Sequence, residues 1–252
     1  MILGASGALL ILLFVLSCKS QRTTSQPASV PLNALIVTGL TADAEDAGTW
    51  RACTQATVKG LEKKGGPAAN IRILPSSSAS PATRESILKA LQGAECLGEK
   101  DEFWLVLYGY CGITKDAQPA FQVRGPRLTA SDLKNALSRI KARKFIVLGT
   151  SLGGGFLPFL HDSRTCAVSA TAAELEINKP RFPEFWSQTL ESKPELTFEQ
   201  TAGQAALLVA NEYRKLHFSE GEHSRILGVD GKITEITTPV NSAQPAPTTP
   251  IP

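Results

Sequence analysis

This sequence is poor in histidine and contains no run of basic residues. Its histidines are His161, His217 and His223, which are too few and too scattered to predict a metal site built from imidazole ligands. The net charge is only +3 over 252 residues. A nucleic-acid-binding domain usually carries a concentrated basic patch, so nucleic acid is not expected as a partner. The sequence predicts neither a metal ion nor a cofactor.

Long apolar runs are also rare, and the clearest one stands at the amino terminus. Residues 1–18 are almost wholly apolar up to Cys18, and a polar stretch follows at once. The length is typical of a signal-peptide core. Val15-Leu-Ser-Cys18 resembles a bacterial lipobox, whose cysteine becomes lipidated, although no Lys or Arg precedes the run. The alternative is a short uncleaved anchor. Either way we expect an exported, envelope-located protein tethered to a membrane, with acyl chains on Cys18 as the attachment.

Cysteine is scarce in the rest of the chain. Four residues remain, Cys53, Cys96, Cys111 and Cys166, and their spacing is not that of a zinc site. An exported protein is in an oxidising compartment, so one or two disulfides are possible. Four cysteines allow three complete pairings, and the sequence does not choose among them.

Strand-like and helix-like patterns alternate along the middle of the chain. Predicted strands occupy residues 33–39, 70–75, 102–109, 145–151 and 165–171. Three predicted helices lie between these strands. Asp46 or Thr49 caps the first helix, Thr83 caps the second and Thr129 caps the third. Two more predicted helices follow the last strand and cover residues 182–190 and 201–218.

This alternation predicts an α/β fold, a three-layer α/β/α sandwich around a mainly parallel sheet. The near-continuous apolar strand at 102–109 indicates burial on both faces. We therefore expect a signal segment at 1–18, a flexible linker at 19–32, one domain at 33–231 and a disordered Thr/Pro-rich tail at 232–252.

The fourth strand runs into a glycine-rich turn that contains a serine. Gly149-Thr-Ser151-Leu-Gly153 matches the G-x-S-x-G nucleophile elbow of α/β-hydrolases, in which a strained turn exposes the serine. An incidental serine in a glycine-rich turn gives the same pattern. An active elbow also needs a base. A helical segment would place His161, ten residues on, about 15 Å away. His217 and His223 do not follow strands, and we expect all three to be surface or capping residues.

Several segments occur in an order that matches a known family. They are residues 34–39, 103–111, 121–126, 128–133, 145–156, 168–171, 181–185, 222–227 and 230–231. Together they resemble the caspase-like fold of the legumain/caspase/gingipain clan of cysteine peptidases, and most closely the legumain-like domains of exported bacterial proteins. The resemblance implies five parallel strands in the order 2-1-3-4-5. It also implies a catalytic His and Cys at the ends of adjacent strands.

Both catalytic positions depart from that pattern. Tyr110 stands where the family has its histidine, and Ser151 where it has its cysteine, while Cys111 falls at a family glycine. A tyrosine with a pKa of about 10 is a poor base at neutral pH. We therefore expect a catalytically inactive, pseudopeptidase-like protein that binds a protein or peptide partner. The expected binding positions are Gly109, Tyr110, Gly153 and Gly154, with the glycine amides as backbone donors.

Two catalytic alternatives remain open from the sequence. The first is a serine hydrolase, an esterase or a peptidase, with Ser151 as the nucleophile. The second takes Cys111 or Cys166 as a thiol nucleophile, although neither has an evident histidine partner.

Overall fold

The structure is a computed structural model that describes residues 32–77, 81–172, 176, 178–217 and 222–237. The predicted signal segment with Cys18, the linker up to residue 31 and the tail from residue 238 lie outside the described residues. Among the described helices, none is both long enough and apolar enough to cross a membrane.

The described chain forms a three-layer α/β/α sandwich with a mainly parallel central sheet of seven strands. In chain order the strands are β1 (Leu32–Thr38), β2 (Ile71–Leu74), β3 (Glu102–Gly109), β4 (Cys111–Ile113), β5 (Pro119–Phe121), β6 (Leu128–Thr129), β7 (Arg143–Thr150), β8 (Thr165–Ser169), β9 (Arg225–Leu227) and β10 (Ile233–Glu235). A small separate sheet contains β4, β5 and β6.

The central sheet runs in the order β10-β9-β8-β7-β3-β1-β2. Its five parallel strands follow the expected 2-1-3-4-5 order, in which β7 and β8 are the fourth and fifth strands. β1 lies between β2 and β3, β7 pairs with the other side of β3, and β8 pairs with β7. The complete sheet differs from the expectation in that β9 and β10 add two antiparallel strands beyond β8. The two strands are three residues each and were too short to give a strand pattern.

The prediction that a disordered tail begins at residue 232 is wrong, because the next residues form a strand. Ile233–Glu235 forms β10 and pairs with β9. The amide of Ile236 also donates to the carbonyl of Ser224 at 2.9 Å. Main-chain hydrogen bonds hold β10 to the sheet, since all three of its residues are exposed, and the half-buried Ile236 that follows packs against an apolar core.

In the described part of the chain, six helices cover the two faces of the sheet: α1 (Ala44–Lys63), α2 (Arg84–Gly93), α3 (Ala130–Leu137), α4 (Leu157–Leu160), α5 (Phe182–Ser192) and α6 (Phe198–Lys215). Apolar side chains of α2, α3 and α4 form one core with the sheet. Those of α1, α5 and α6 form the other, which contains all three tryptophans.

Helix starts follow the local capping signals in most places. Thr83 and Thr129 form capping boxes at α2 and α3 as predicted. The first helix differs, because Asp43 is its N-cap and accepts from the amide of Asp46 at 2.8 Å. The carboxylate of Asp46 is thereby left for contacts outside α1, and those contacts lie at the candidate site.

Candidate functional site

The candidate site lies where β3 and β7 end. Gly109 and Thr150 are paired residues at the carboxyl ends of these two neighbouring parallel strands. Tyr110 and Ser151 come next in each chain segment, so the sheet brings the two predicted positions to the same edge. Ligands of α/β proteins bind outside the carboxyl ends of parallel strands, which makes this edge the place to look for function.

The Tyr110 side chain is turned toward α1. Its hydroxyl donates to Oδ2 of Asp46 at 2.7 Å. The other carboxylate oxygen of Asp46 lies 3.1 Å from Nζ of Lys179, which also donates to Oγ1 of Thr49 at 3.0 Å. Asp46 is only 4% exposed. Tyr110, Asp46 and Lys179 therefore form a continuous polar network, called here the Tyr110 network.

The Tyr110 network packs against a buried aromatic side chain. Trp50 is fully buried, stacks on Tyr108, and meets the ring of Tyr110 edge-on with centroids 6.4 Å apart. Nζ of Lys179 lies 5.7 Å from the centroid of the Trp50 ring, within range of a cation–π interaction. The buried tryptophan thus fixes the position of both the phenol and the ammonium group.

The electrostatics of the Tyr110 network make Tyr110 a donor and not a base. Burial and the neighbouring Asp46 carboxylate raise the pKa of the Tyr110 phenol above its ordinary value. Burial alone would raise the pKa of the Asp46 carboxyl. Hydrogen bonds from Tyr110, Lys179 and the Ala42 amide outweigh this effect and hold that pKa below its ordinary value. At neutral pH the pair is a protonated phenol bound to a carboxylate.

Ser151 has entirely different surroundings. It is 1% exposed, and its Oγ accepts a hydrogen bond from the amide of Cys111 at 3.1 Å. None of its hydrogen bonds in the described part of the chain joins it to a histidine or a carboxylate. Tyr110 and Ser151 are therefore neighbours along the sheet edge, but their side chains belong to separate hydrogen-bond networks.

The turn after Ser151 also departs from a nucleophile elbow. The left-handed residue is Leu152, with φ of 54°, and Ser151 has no positive φ. A Cβ at Gly149 would lie 2.7 Å from the ring of Tyr108, so close packing against that ring accounts for the first glycine of the motif. The motif thus has a structural explanation that requires no reactive serine.

The backbone donors predicted at this turn are already occupied. The amide of Gly153 donates to Oγ1 of Thr171 at 3.0 Å, and that of Gly154 donates to the Thr171 carbonyl at 3.0 Å. The amide of Leu152 donates to the carbonyl of Glu176 at 3.2 Å. The expectation that Gly153 and Gly154 offer free donors to a ligand is therefore wrong, since Thr171 accepts from both.

Gly109 has a conformational role. Its φ is 146°, and a Cβ there would lie 3.2 Å from Cα of Gly39. The close approach of the chain after β1 to the end of β3 therefore requires glycine at this position. Gly109 shapes the strand end from which Tyr110 projects, and it presents no side chain to a ligand.

The described cysteines are free thiols, so no disulfide forms among Cys53, Cys96, Cys111 and Cys166. Cys111 is buried, and its thiol donates to Oγ1 of Thr150 at 3.2 Å. Burial raises the pKa of both Cys111 and Cys53 to about 12, and burial also raises the pKa of Cys166. A thiol nucleophile needs a lowered pKa, so the geometry contradicts a catalytic role for Cys111 or Cys166.

All three histidines are exposed at the surface. The ring of His161 packs against the turn at Gly231, where an added Cβ would overlap it. His217 adopts a left-handed conformation just after α6. His223 is hydrogen-bonded to the carboxylate of Glu176. Within the described residues, no group of three or more His, Cys, Asp or Glu side chains is placed to hold a metal ion.

Sequence reasoning missed several polar residues at this edge. The sequence indicates only a capping role for Asp46 and only a strand end for Thr171, and it gives no signal for Lys179 or Glu176. These residues come from different segments, and a local pattern carries no signal for their meeting.

No protein-family model and no curated protein matches this sequence. Among solved structures, the chain is similar to protein GSU0716 from Geobacter sulfurreducens, with a TM-score of 0.53. The two chains are 14% identical, and the alignment covers 83% of this chain and 95% of the other. At this identity the similarity concerns the fold alone, and function has to be argued from the site.

Proposed function

We propose that this chain is a catalytically inactive domain with a caspase-like fold that acts by binding a protein or peptide partner. The observation that carries the proposal is the separation of the two polar side chains at the strand ends. Tyr110 donates to Asp46, whereas Ser151 accepts from the amide of Cys111. A peptidase dyad needs a nucleophile in contact with its base, and among the described residues no hydrogen bond joins Ser151 to a histidine or a carboxylate.

Three features support the caspase-like assignment. The parallel strands have the order that the resemblance implies, and positions 110 and 151 follow a pair of matched strand ends. The segments that resemble the clan run in the same order along the chain. A relic of the dyad is then expected at this edge, with Tyr110 and Ser151 in the places of His and Cys.

Acyl transfer at Ser151 is disfavoured at each step. The serine is buried, so a substrate carbonyl cannot approach its Oγ without movement of the turn. Among the described residues no base bonds to the Ser151 hydroxyl, and the Tyr110 phenol is itself protonated and bound to Asp46. The amides of Gly153 and Gly154, which would stabilise an oxyanion, already donate to Thr171.

Binding remains available at the same edge. Tyr110 is half-buried, and the Lys179 side chain is 25% exposed, so both reach the surface while Trp50 holds them in place. A tyrosine that presents an apolar ring and a polar tip is a frequent anchor in protein interfaces. The proposal includes export and attachment to the cell envelope through Cys18, which rest on the amino-terminal sequence.

Activity-based labelling of the full-length protein tests this proposal. A fluorophosphonate probe reports an activated serine, and a peptidyl acyloxymethyl ketone reports an activated thiol. We expect neither probe to label the folded protein above the level of the variants Ser151→Ala and Cys111→Ala, with near-UV circular dichroism as the check of folding. Fluorophosphonate labelling that disappears in Ser151→Ala would overturn the proposal in favour of a serine hydrolase.

A further inference from the structure

A second feature of the carboxyl edge lies beyond β8, beside β9 and β10. A cavity of about 220 Å³ is bounded by α6 on one side and by the β9–β10 hairpin on the other. Ser224, which lines it, donates to the carbonyl of Ala170 just after β8, so the cavity opens at the same end of the sheet as the candidate site. We infer that this cavity binds a primary ammonium group carried on a short aliphatic chain. The inference goes beyond the proposed function and does not depend on whether Ser151 reacts.

The size of the cavity sets the scale of the ligand. Pockets for drug-sized molecules typically measure roughly 300–1,000 Å³, whereas this cavity measures about 220 Å³. It therefore suits a single side chain or a small free molecule. A folded domain or a nucleotide is too large for it.

One wall of the cavity is apolar. Ala206, Val209 and Ala210 of α6 line it, and Ile236 faces them from the end of the hairpin. The two alanines leave space where larger residues would fill the gap against the sheet. An unbranched aliphatic chain gains burial against such a wall, because each CH₂ group removed from water stabilises the complex.

The polar part of the lining is acidic. The carboxylates of Glu222 and Glu235 line the cavity, and its lining includes no Lys or Arg among the described residues. The remaining titratable groups are His223 and Tyr213. His223 is held by the carboxylate of Glu176, so it adds no isolated positive charge to the cavity. A cation is favoured over an anion in these surroundings.

Glu222 has the geometry to orient such a cation. Its Oε1 accepts from the amide of Arg181 at 2.6 Å and from the hydroxyl of Tyr213 at 2.9 Å, and its Oε2 accepts from the amide of Phe182 at 3.0 Å. These bonds fix the carboxylate at the start of α5. A carboxylate accepts about four hydrogen bonds, so Oε2 retains capacity for one more donor. Burial raises the pKa of the Glu222 carboxyl against the lowering effect of these three hydrogen bonds, so a further donor at Oε2 would stabilise the charged form.

The test is a titration of the full-length protein in mild detergent, followed by backbone amide chemical shifts. The probe is n-butylammonium, and the matched controls are n-butanol and butyrate, which keep the chain and change the charge. We expect saturable shifts of Ala206, Ala210 and Tyr213 with butylammonium. Binding of butanol and butyrate should be about tenfold weaker or less, a ratio that corresponds to roughly 1.4 kcal/mol.

Two variants connect the binding to the cavity. Ala210→Leu fills the apolar wall and should abolish the shifts. Glu235→Gln removes an exposed charge without touching the core, and should weaken binding several-fold even if the first variant fails to fold. Glu62→Gln, at an exposed position on α1, is the matched control and should change nothing.

A second ligand shows whether the ammonium group belongs to a lysine side chain or to a free amine. The blocked tripeptide Ac-Gly-Lys-Gly-NH₂ presents the same group on a peptide. Equal or tighter binding of the tripeptide identifies a lysine side chain as the ligand, and binding of butylammonium alone identifies a free amine. Equal binding of butanol, preferential binding of butyrate, or shifts that persist in both Ala210→Leu and Glu235→Gln would each overturn the inference, as would the absence of saturable shifts.

Discussion

Tyr110 and Ser151 follow neighbouring strands, yet one belongs to a charged and partly exposed network and the other to a closed and buried one. Tyr110 joins Asp46 and Lys179 near the surface. Ser151 accepts from the Cys111 amide, and the turn after it is held by Thr171. Both strand ends carry a hydroxyl, so the difference between them lies in their partners. One end presents polar groups near the surface, while the other is part of the buried core.

The largest expected effect concerns the buried end. In Thr171→Val, the Gly153 amide loses its acceptor and the Thr150 carbonyl loses its donor, both inside the core. Because an unsatisfied buried polar group costs roughly 1–3 kcal/mol, we expect the free energy of unfolding to fall by about 2–4 kcal/mol. Urea denaturation followed by circular dichroism measures this change.

Thr171→Ser is the matched control, since it keeps the hydroxyl and removes only a methyl group. It should retain most of the stability that Thr171→Val loses. If the two variants were equally destabilised, lost packing rather than lost hydrogen bonding would be the cause, and the turn would not be clamped in the way described.

A smaller effect is expected at the charged end. Asp46→Asn keeps the shape of the side chain but removes the charge that binds Lys179 and Tyr110. Hydrogen bonds to charged groups contribute roughly 1.5–3 kcal/mol, and Lys179 is partly exposed, so we expect a loss of about 2 kcal/mol at pH 7. Asp116→Asn, at an exposed loop position, should have no measurable effect.

The pH dependence of this loss distinguishes a charge effect from a steric one. The pKa of Asp46 is lowered in the folded protein, so its carboxylate stabilises the fold above its unfolded pKa of about 3.9. That contribution disappears as the pH falls through the lower, folded pKa. The difference between wild type and Asp46→Asn should therefore be constant from pH 5 to 7 and shrink below about pH 4. A difference that stayed constant at low pH would contradict the ionic role.

Much of the fold could be predicted from the sequence, because its signals are local. The apolar run of β3 was placed at its observed bounds, and capping boxes marked the starts of α2 and α3 at Thr83 and Thr129. The two short antiparallel strands were missed, since three residues carry no usable periodicity. β9 joins the sheet by pairing with β8, which is a long-range interaction, and β10 pairs in turn with β9.

For the candidate site, only the places of its residues at the strand ends could be predicted from the sequence. The sequence placed Tyr110 and Ser151 at adjacent strand ends, and they are there. It could not indicate which partner each hydroxyl takes, because Asp46 and Thr171 come from other segments of the chain. The G-x-S-x-G pattern was equally ambiguous, since Gly149 packs on Tyr108 whether or not the serine reacts.

The smallest expected effect separates the two networks directly. Tyr110→Phe removes one hydrogen bond to Asp46 and should cost about 1 kcal/mol. Combined with Asp46→Asn, it should show a coupling free energy of about 1 kcal/mol, because the two side chains share a bond. Combined with Ser151→Ala, the coupling should stay below about 0.5 kcal/mol, because Ser151 bonds to the Cys111 amide instead. Urea denaturation of the four proteins in each cycle gives both values.

A strong coupling between Tyr110 and Ser151 would mean that the two hydroxyls act as one unit in solution, and the description of this edge as two separate networks would then be wrong.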